Sequence, residues 1–137
     1  TSYVSAGTIE VLDGAYPQFN ASTSISSFTE TSGPLEYTSG AIDAKPSLNN
    51  NKALHTIAVY TKNFTGDFKV QGTMASSPAS ADYFDITLDG QGSSTVTLTS
   101  STTVNYYNFY GVYHSVRFSW DNATDNTGTI DKILYRQ

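Results

Sequence analysis

The chain has 137 residues, no cysteine, and a formal net charge of −5 from 12 acidic and 7 basic residues. A length of this order suits one domain that buries about two-thirds of its unfolded surface without a disulfide or metal, and the missing thiols exclude disulfides, thiolate zinc sites and cysteine nucleophiles. The scattered Lys and Arg form no basic stripe, which argues against nucleic acid, and no apolar run approaches the roughly 20 residues of a membrane span.

Apolar residues recur with period two and are punctuated by Gly, Asn, Asp and Pro, the pattern of strands and turns. GTIEVLDG (7–14) is a short strand closed by the turn pair Asp13-Gly14. Residues 15–50 are soft: rich in Ser and Thr, carrying Pro17, Pro34 and Pro46, with single apolar pegs at Phe19, Ile25, Phe28, Leu35, Tyr37 and Ile42. Two readings stand. The segment wraps its own domain as a loop-rich stretch with one or two short strands, or it is an arm that neighbouring subunits order, with Phe28 and Tyr37 among the contacts.

From residue 53 the pattern tightens into ALHTIAVYTKN (53–63) and, after a very short connection, FTGDFKVQGTM (64–74). YFDITL (83–88), STVTLT (94–99), VNYYNFYG (104–111), VYHSVRFSW (112–120) and GTIDKILYR (128–136) follow. About eight short strands at this spacing close two period-two faces on each other. The expected fold is a single all-β domain over 1–137: an antiparallel two-sheet β-sandwich, jelly-roll-like, with a loop-rich N-terminal third and its sandwich core in 53–137. The expected core is Ile57, Val59, Phe68, Val70, Phe84, Ile86, Val116, Phe118, Trp120, Ile130 and Leu134.

No catalytic constellation stands out. His55 shares a strand face with Ile57 and Val59, and His114 shares one with Val116, Phe118 and Trp120, so each is expected as a half-buried, hydrogen-bonded core histidine. Arg117 falls on the opposite face from His114, most simply paired with a nearby carboxylate. Asp82, Asp85 and Asp89 cluster, but nothing marks a matched acid and base, and Asp-rich turns are ordinary between strands. DNATDNTG (121–128) fails the EF-hand pattern, with Ala123 at position 3 and Asn126 at position 6; a calcium turn of another kind stays open. Asn20, Asn63 and Asn122 begin N-x-[ST] triplets, at about chance frequency in such a composition. The expectation is therefore no enzyme, no cofactor and no metal.

The aromatic residues are the feature with functional content. Tyr106, Tyr107, Phe109 and Tyr110 crowd one strand, with Tyr113 just beyond, and alternation sends two of the strand's aromatics to each side. One set then lies off the core, where tyrosine supplies contact area and a polar tip for a protein partner or a sugar. An aromatic core with a cross-strand ladder is the plain alternative.

FTGDFKVQGTM, ADYFDI, VNYYNFYGVYHSVRFSW and GTIDKILYR, in that order over residues 54–137, resemble a β-sandwich module of tailed-bacteriophage virion structural proteins, marine myovirus-like ones especially. This sequence has Thr73-Met74 where that module usually has Ser-Leu, and Tyr83 where Trp is common, changes that keep core or corner chemistry; residues 1–50 carry no such likeness. The resemblance implies no catalytic residues. It implies a virion structural protein, a capsid decoration or cement protein or another exterior (tail, neck or fibre) component, in multiple copies and bound to neighbouring virion subunits. A carbohydrate-binding sandwich, with a glycan on the tyrosines, is the alternative.

Overall fold

A computed structural model describes residues 6–13, 20–25, 29–30, 36–44, 53–121 and 129–136. The strands are β1 (Ala6–Asp13), β2 (Asn20–Ile25), β3 (Thr29–Glu30), β4 (Glu36–Thr38), β5 (Ile42–Asp43), β6 (Leu54–Lys62), β7 (Phe64–Thr73), β8 (Phe84–Ile86), β9 (Val96–Ser101), β10 (Val104–Tyr110), β11 (Ser115–Asp121) and β12 (Thr129–Arg136). A short 3-10 turn covers Ser80–Asp82, and no α-helix occurs among the described residues.

The strands form two sheets packed on each other, the expected all-β sandwich. Sheet A has the order β10-β6-β12-β1-β2; sheet B has β3-β4-β11-β7-β8, with β5 also on β11 and β9 also on β7. Pairing departs from the expectation at one place: β1 runs parallel to β12, Ile9 opposite Ile133. The first strand thus closes against the last, and the crossover that a parallel pair requires is the whole intervening chain.

Residues β6 and β7 show why the sheets separate where they do. One residue, Asn63, joins them, at φ +50°. Asn tolerates this left-handed conformation better than other non-glycine residues, and the kink sends the chain from one sheet to the other. Inward positions then alternate: Ile57, Val59 and Thr61 on β6, Phe64, Phe68 and Val70 on β7, all buried. Phe118 of sheet B meets the ring of Tyr135 of sheet A edge-on, with centroids 5.6 Å apart, so the aromatic core bridges the layers.

Ile57, Val59, Phe68, Val70, Ile86, Val116, Phe118, Trp120 and Ile130 are buried as expected. Two expected core residues are not. Phe84 is 46% exposed, because β8 is three residues long at the sheet margin and its ring finds cover chiefly from Tyr113, 6.0 Å away. Leu134 is only partly buried, because a bulge between Ile130 and Lys132 shifts the phase of β12 and turns Ile133 and Tyr135 inward instead. Met74, expected to keep core chemistry, is 75% exposed; Thr73 beside it is fully buried.

The soft N-terminal stretch carries more strand than expected. β2 pairs with β1, β3 with β4, and β4 and β5 both with β11, all within this chain. Ile42 and Ala44 are buried in the common core. The described part of 15–50 is paired within this chain's own sheets; the arm reading concerns what neighbouring subunits would order. Phe19, Phe28 and Leu35, which that reading needs, lie outside the described residues.

Candidate interaction surface

β10 is the terminal strand of sheet A, in register with β6: Val104 opposite Tyr60, Tyr106 opposite Ala58, Asn108 opposite Thr56, Tyr110 opposite Leu54. These pairs share one face, because side chains alternate. Phe109 and His55, paired on the other face, are both buried, so the first set faces away from the core. Tyr106 is 75% exposed, Tyr110 58%, Val104 47% and Leu54 43%. Ala58, Tyr60 and Leu134 continue the face across β6 and β12, and the Lys132 ammonium lies 4.6 Å from the centre of the Tyr60 ring. The face is largely aromatic and aliphatic; besides Lys132, the polar pair Asn108 and Thr56 crosses it between Tyr106 and Tyr110, with the Asn108 side-chain oxygen accepting a 2.8 Å hydrogen bond from Thr56 Oγ1.

The free edge of β10 is partly closed. The Asp89 backbone N–H donates to the Asn108 carbonyl at 2.7 Å, and the Tyr113 hydroxyl donates to the Tyr110 carbonyl at 2.7 Å. Capping of this kind blunts edge-to-edge pairing and leaves the flat face as the surface on offer.

The structure divides the sequence-selected residues. Tyr106 and Tyr110 stand on the outer face. Tyr107 points inward and packs half-buried against the core, where burial raises its pKa. Tyr113 also turns in, because Gly111 adopts φ +142° and a Cβ there would strike the Tyr113 ring. That ring also lies over Gly72, where a Cβ would come within 2.9 Å of it. Tyr107 and Tyr113 are thus half-buried against the core and do not share the outer face with Tyr106 and Tyr110. Tyr37 stands in β4 opposite Trp120, and Phe28 lies outside the described residues. Leu54 and Val104 are surface members that the sequence reading missed; the parity of His55, Ile57 and Val59 already assigned Leu54 to the opposite face.

The histidines differ from each other. His114 is exposed, because β11 begins only at Ser115; the strand face assigned to it does not extend that far, and its Nδ1 meets Ser115 Oγ at 3.1 Å. His55 is buried as expected. Its Nδ1 lies 2.9 Å from the Tyr135 hydroxyl and its Nε2 3.0 Å from the Gly111 carbonyl oxygen. The ring stacks on Phe109 at 4.7 Å and near-parallel on Tyr135 at 5.9 Å. Burial pushes the His55 pKa below its ordinary 6.5, against the pull of the Gly111 hydrogen bond. Burial, then the negative charges of Asp43 and Tyr113, raise that of Tyr135.

Sheet B carries a different outer face. Arg117 donates from Nε to Gln71 Oε1 at 2.7 Å, Gln71 Nε2 donates to Asp85 Oδ1 at 2.8 Å, and Lys69 Nζ lies 3.9 Å from the same Asp85 oxygen. The Arg117 guanidinium also covers the Tyr83 ring at 4.0 Å. The partner expected for Arg117 was a carboxylate; the Gln71 amide takes that place and Asp85 stands one step behind it. Asp82 accepts the Ala79 N–H at 2.8 Å and closes the 3-10 turn, and Asp67 accepts from Thr97 Oγ1 at 2.9 Å. Asp82, Asp85 and Asp89 thus sit in separate local settings. No group of three His, Asp or Glu with metal-holding geometry occurs among the described residues, and the 122–128 loop lies outside them.

Comparison with protein-family models, with curated proteins and with solved structures finds no match.

Proposed function

We propose that this protein is a non-enzymatic structural component of a phage virion, an exterior decoration or cement protein, which binds neighbouring subunits through the outer face of sheet A. The observation that carries the interaction is the row of Val104, Tyr106 and Tyr110 beside Leu54, four exposed large side chains on one flat sheet face. Water-exposed apolar residues are common singly; side by side on one face they mark a contact surface, and tyrosine gives such a surface much area for little ordering entropy. The virion setting rests on the resemblance of residues 54–137. Covering such a face in every copy adds buried apolar area at each joint and stabilises the particle by mass action.

A photo-crosslinking residue at position 106, in particles assembled with the variant chain, tests this. Crosslinks to a shell, tail or fibre subunit support the proposal. Crosslinks to none of them, with Tyr106→Ser binding glycans less than the parent does, would favour the carbohydrate-binding alternative.

A further inference from the structure

We infer that His55 is a proton-operated latch on the turn at residues 111–114, and through that turn on the end of β10 that presents Tyr110. The latch rests on the reading above only for what the Tyr106–Tyr110 face binds; its own geometry is independent of it.

One tautomer alone satisfies both ring nitrogens. The Gly111 carbonyl only accepts, so Nε2 carries the hydrogen and donates to it. Nδ1 is then the bare acceptor, and the Tyr135 hydroxyl donates to it. A second proton has to enter at Nδ1, opposite that hydroxyl. Tyr135 must then reverse to accept and release its own hydrogen into a setting of aromatic rings, and the new cation is held away from water. The titratable groups that bear on this pair are the Tyr113 phenol from the turn and the Asp43 carboxylate from β5, both acting on Tyr135. Phe109 from β10 and Phe118 from β11 contribute uncharged rings.

Relief is available on one side. Phe109 and Tyr135 flank the imidazole within paired strands, whereas residues 111–114 are outside any strand, with Val112 and His114 exposed. The turn is held by single bonds to separate segments: Gly111 N–H to the Ala53 carbonyl at 3.0 Å, His114 N–H to the Thr73 carbonyl at 2.8 Å, Ala44 N–H to the His114 carbonyl at 3.2 Å, and the Tyr113 hydroxyl to the Tyr110 carbonyl, with His114 Nδ1 against Ser115 Oγ. Gly111, where the turn leaves β10, has φ +142°, and Ala53, whose carbonyl holds the turn from just before β6, has φ +58°. Opening it hydrates the imidazolium, frees Tyr113 from His55 and Phe109, and releases the carbonyl of Tyr110 at the margin of the contact face.

The test is an NMR titration of the intact chain, following the His55 ring and the amides of 111–114. As pH falls below 6.5 through the His55 transition, the turn amides should lose order, while those of β7 and β11 hold. Tyr135→Phe, which removes the hydroxyl that faces Nδ1 in either protonation state, should move the His55 midpoint and carry the turn response with it by the same amount. His114→Gln should leave both in place. A turn that stays ordered through the His55 transition, a response that disappears in His114→Gln, or global unfolding at the same pH seen in Trp120 fluorescence would each overturn the latch. A turn that responds while crosslinking at position 106 finds no partner leaves the latch standing and sinks only the reading of the surface.

Discussion

On the outer face of sheet B, Lys69, Gln71, Asp85, Arg117 and Tyr83 engage one another across three strands and the loop before β8, and Thr97 and Asp67 add a further bond. On the outer face of sheet A, Val104, Tyr106, Tyr110 and Leu54 stand beside each other in water. Both faces grow from the same alternation of side chains and lie over the same core. The first satisfies its polar groups within the chain, as the surface of a stable monomer does; the second leaves apolar area for which folding alone has no use. On the proposed reading the two sheets have unequal tasks, one a finished wall and the other a contact.

The largest test of that division lies within β10. Phe109→Ala, on its inner side, removes a fully buried ring that stacks on His55, and should lower stability by about 3–5 kcal/mol. Tyr106→Ala, three residues away on the outer side, should change it by no more than about 0.5 kcal/mol. Urea unfolding followed by the single tryptophan, Trp120, measures both. A loss above about 1.5 kcal/mol for Tyr106→Ala would mean that the outer face is needed for the fold and is not held in reserve for a partner.

The alternation behind that contrast was legible in the chain. Val104, Tyr106 and Tyr110 on one side and Tyr107 and Phe109 on the other follow from period two, as do the buried positions of β6 and β7. Which side of β10 would be covered was not legible, since that depends on sheet B lying against one face. Local events hid the rest. The bulge in β12 moved the core from Leu134 to Ile133 and Tyr135, and the late start of β11 left His114 outside the strand. Tyr113 turned inward because of the backbone at Gly111, a glycine whose φ no pattern of apolar residues encodes. The sheet order, with β1 parallel to β12, joins chain ends more than a hundred residues apart, and no short-range signal carries that.

Gly111 offers the next test, because it decides which face Tyr113 joins. Gly111→Ala places a Cβ against the Tyr113 ring at a φ of +142°, a backbone state L residues rarely adopt. The expected loss is about 1–3 kcal/mol in urea unfolding, with Tyr113 displaced toward solvent. Retained stability, with Tyr113 still in contact with His55 and Phe109 by NMR, would show that the turn tolerates a side chain and that the inward placement has another cause.

Acid should act between the two faces and on neither of them. The His55 pKa is lowered in the folded protein, so between that value and the ordinary 6.5 the unfolded chain binds more protons, and stability falls as pH falls through this window. Above 6.5 both states are neutral at this residue and its contribution is constant. Urea midpoints measured from pH 7.5 downward check the sign; a midpoint that rises as pH drops through this window would contradict it.

The smallest effect belongs to the wall of sheet B. Asp85 accepts from Gln71 and lies 3.9 Å from Lys69, but both members of the ion pair are more than a third exposed, at 37% and 40%. Exposed pairs of this kind contribute about 0.2–1 kcal/mol, lessened by salt. Asp85→Asn keeps an oxygen for Gln71 and removes only the charge, so the expected loss is about 0.5 kcal/mol or less at low ionic strength, shrinking further in 0.5 M salt. Arg117 should hold its place, since its partners are the Gln71 oxygen, the Ser80 hydroxyl and the Tyr83 ring and none is altered. A loss well above 1 kcal/mol that salt does not reduce would show that this polar lattice carries the fold. The contrast between a wall that satisfies its polar groups for solubility and a face that keeps its apolar area for contact would then need to be redrawn.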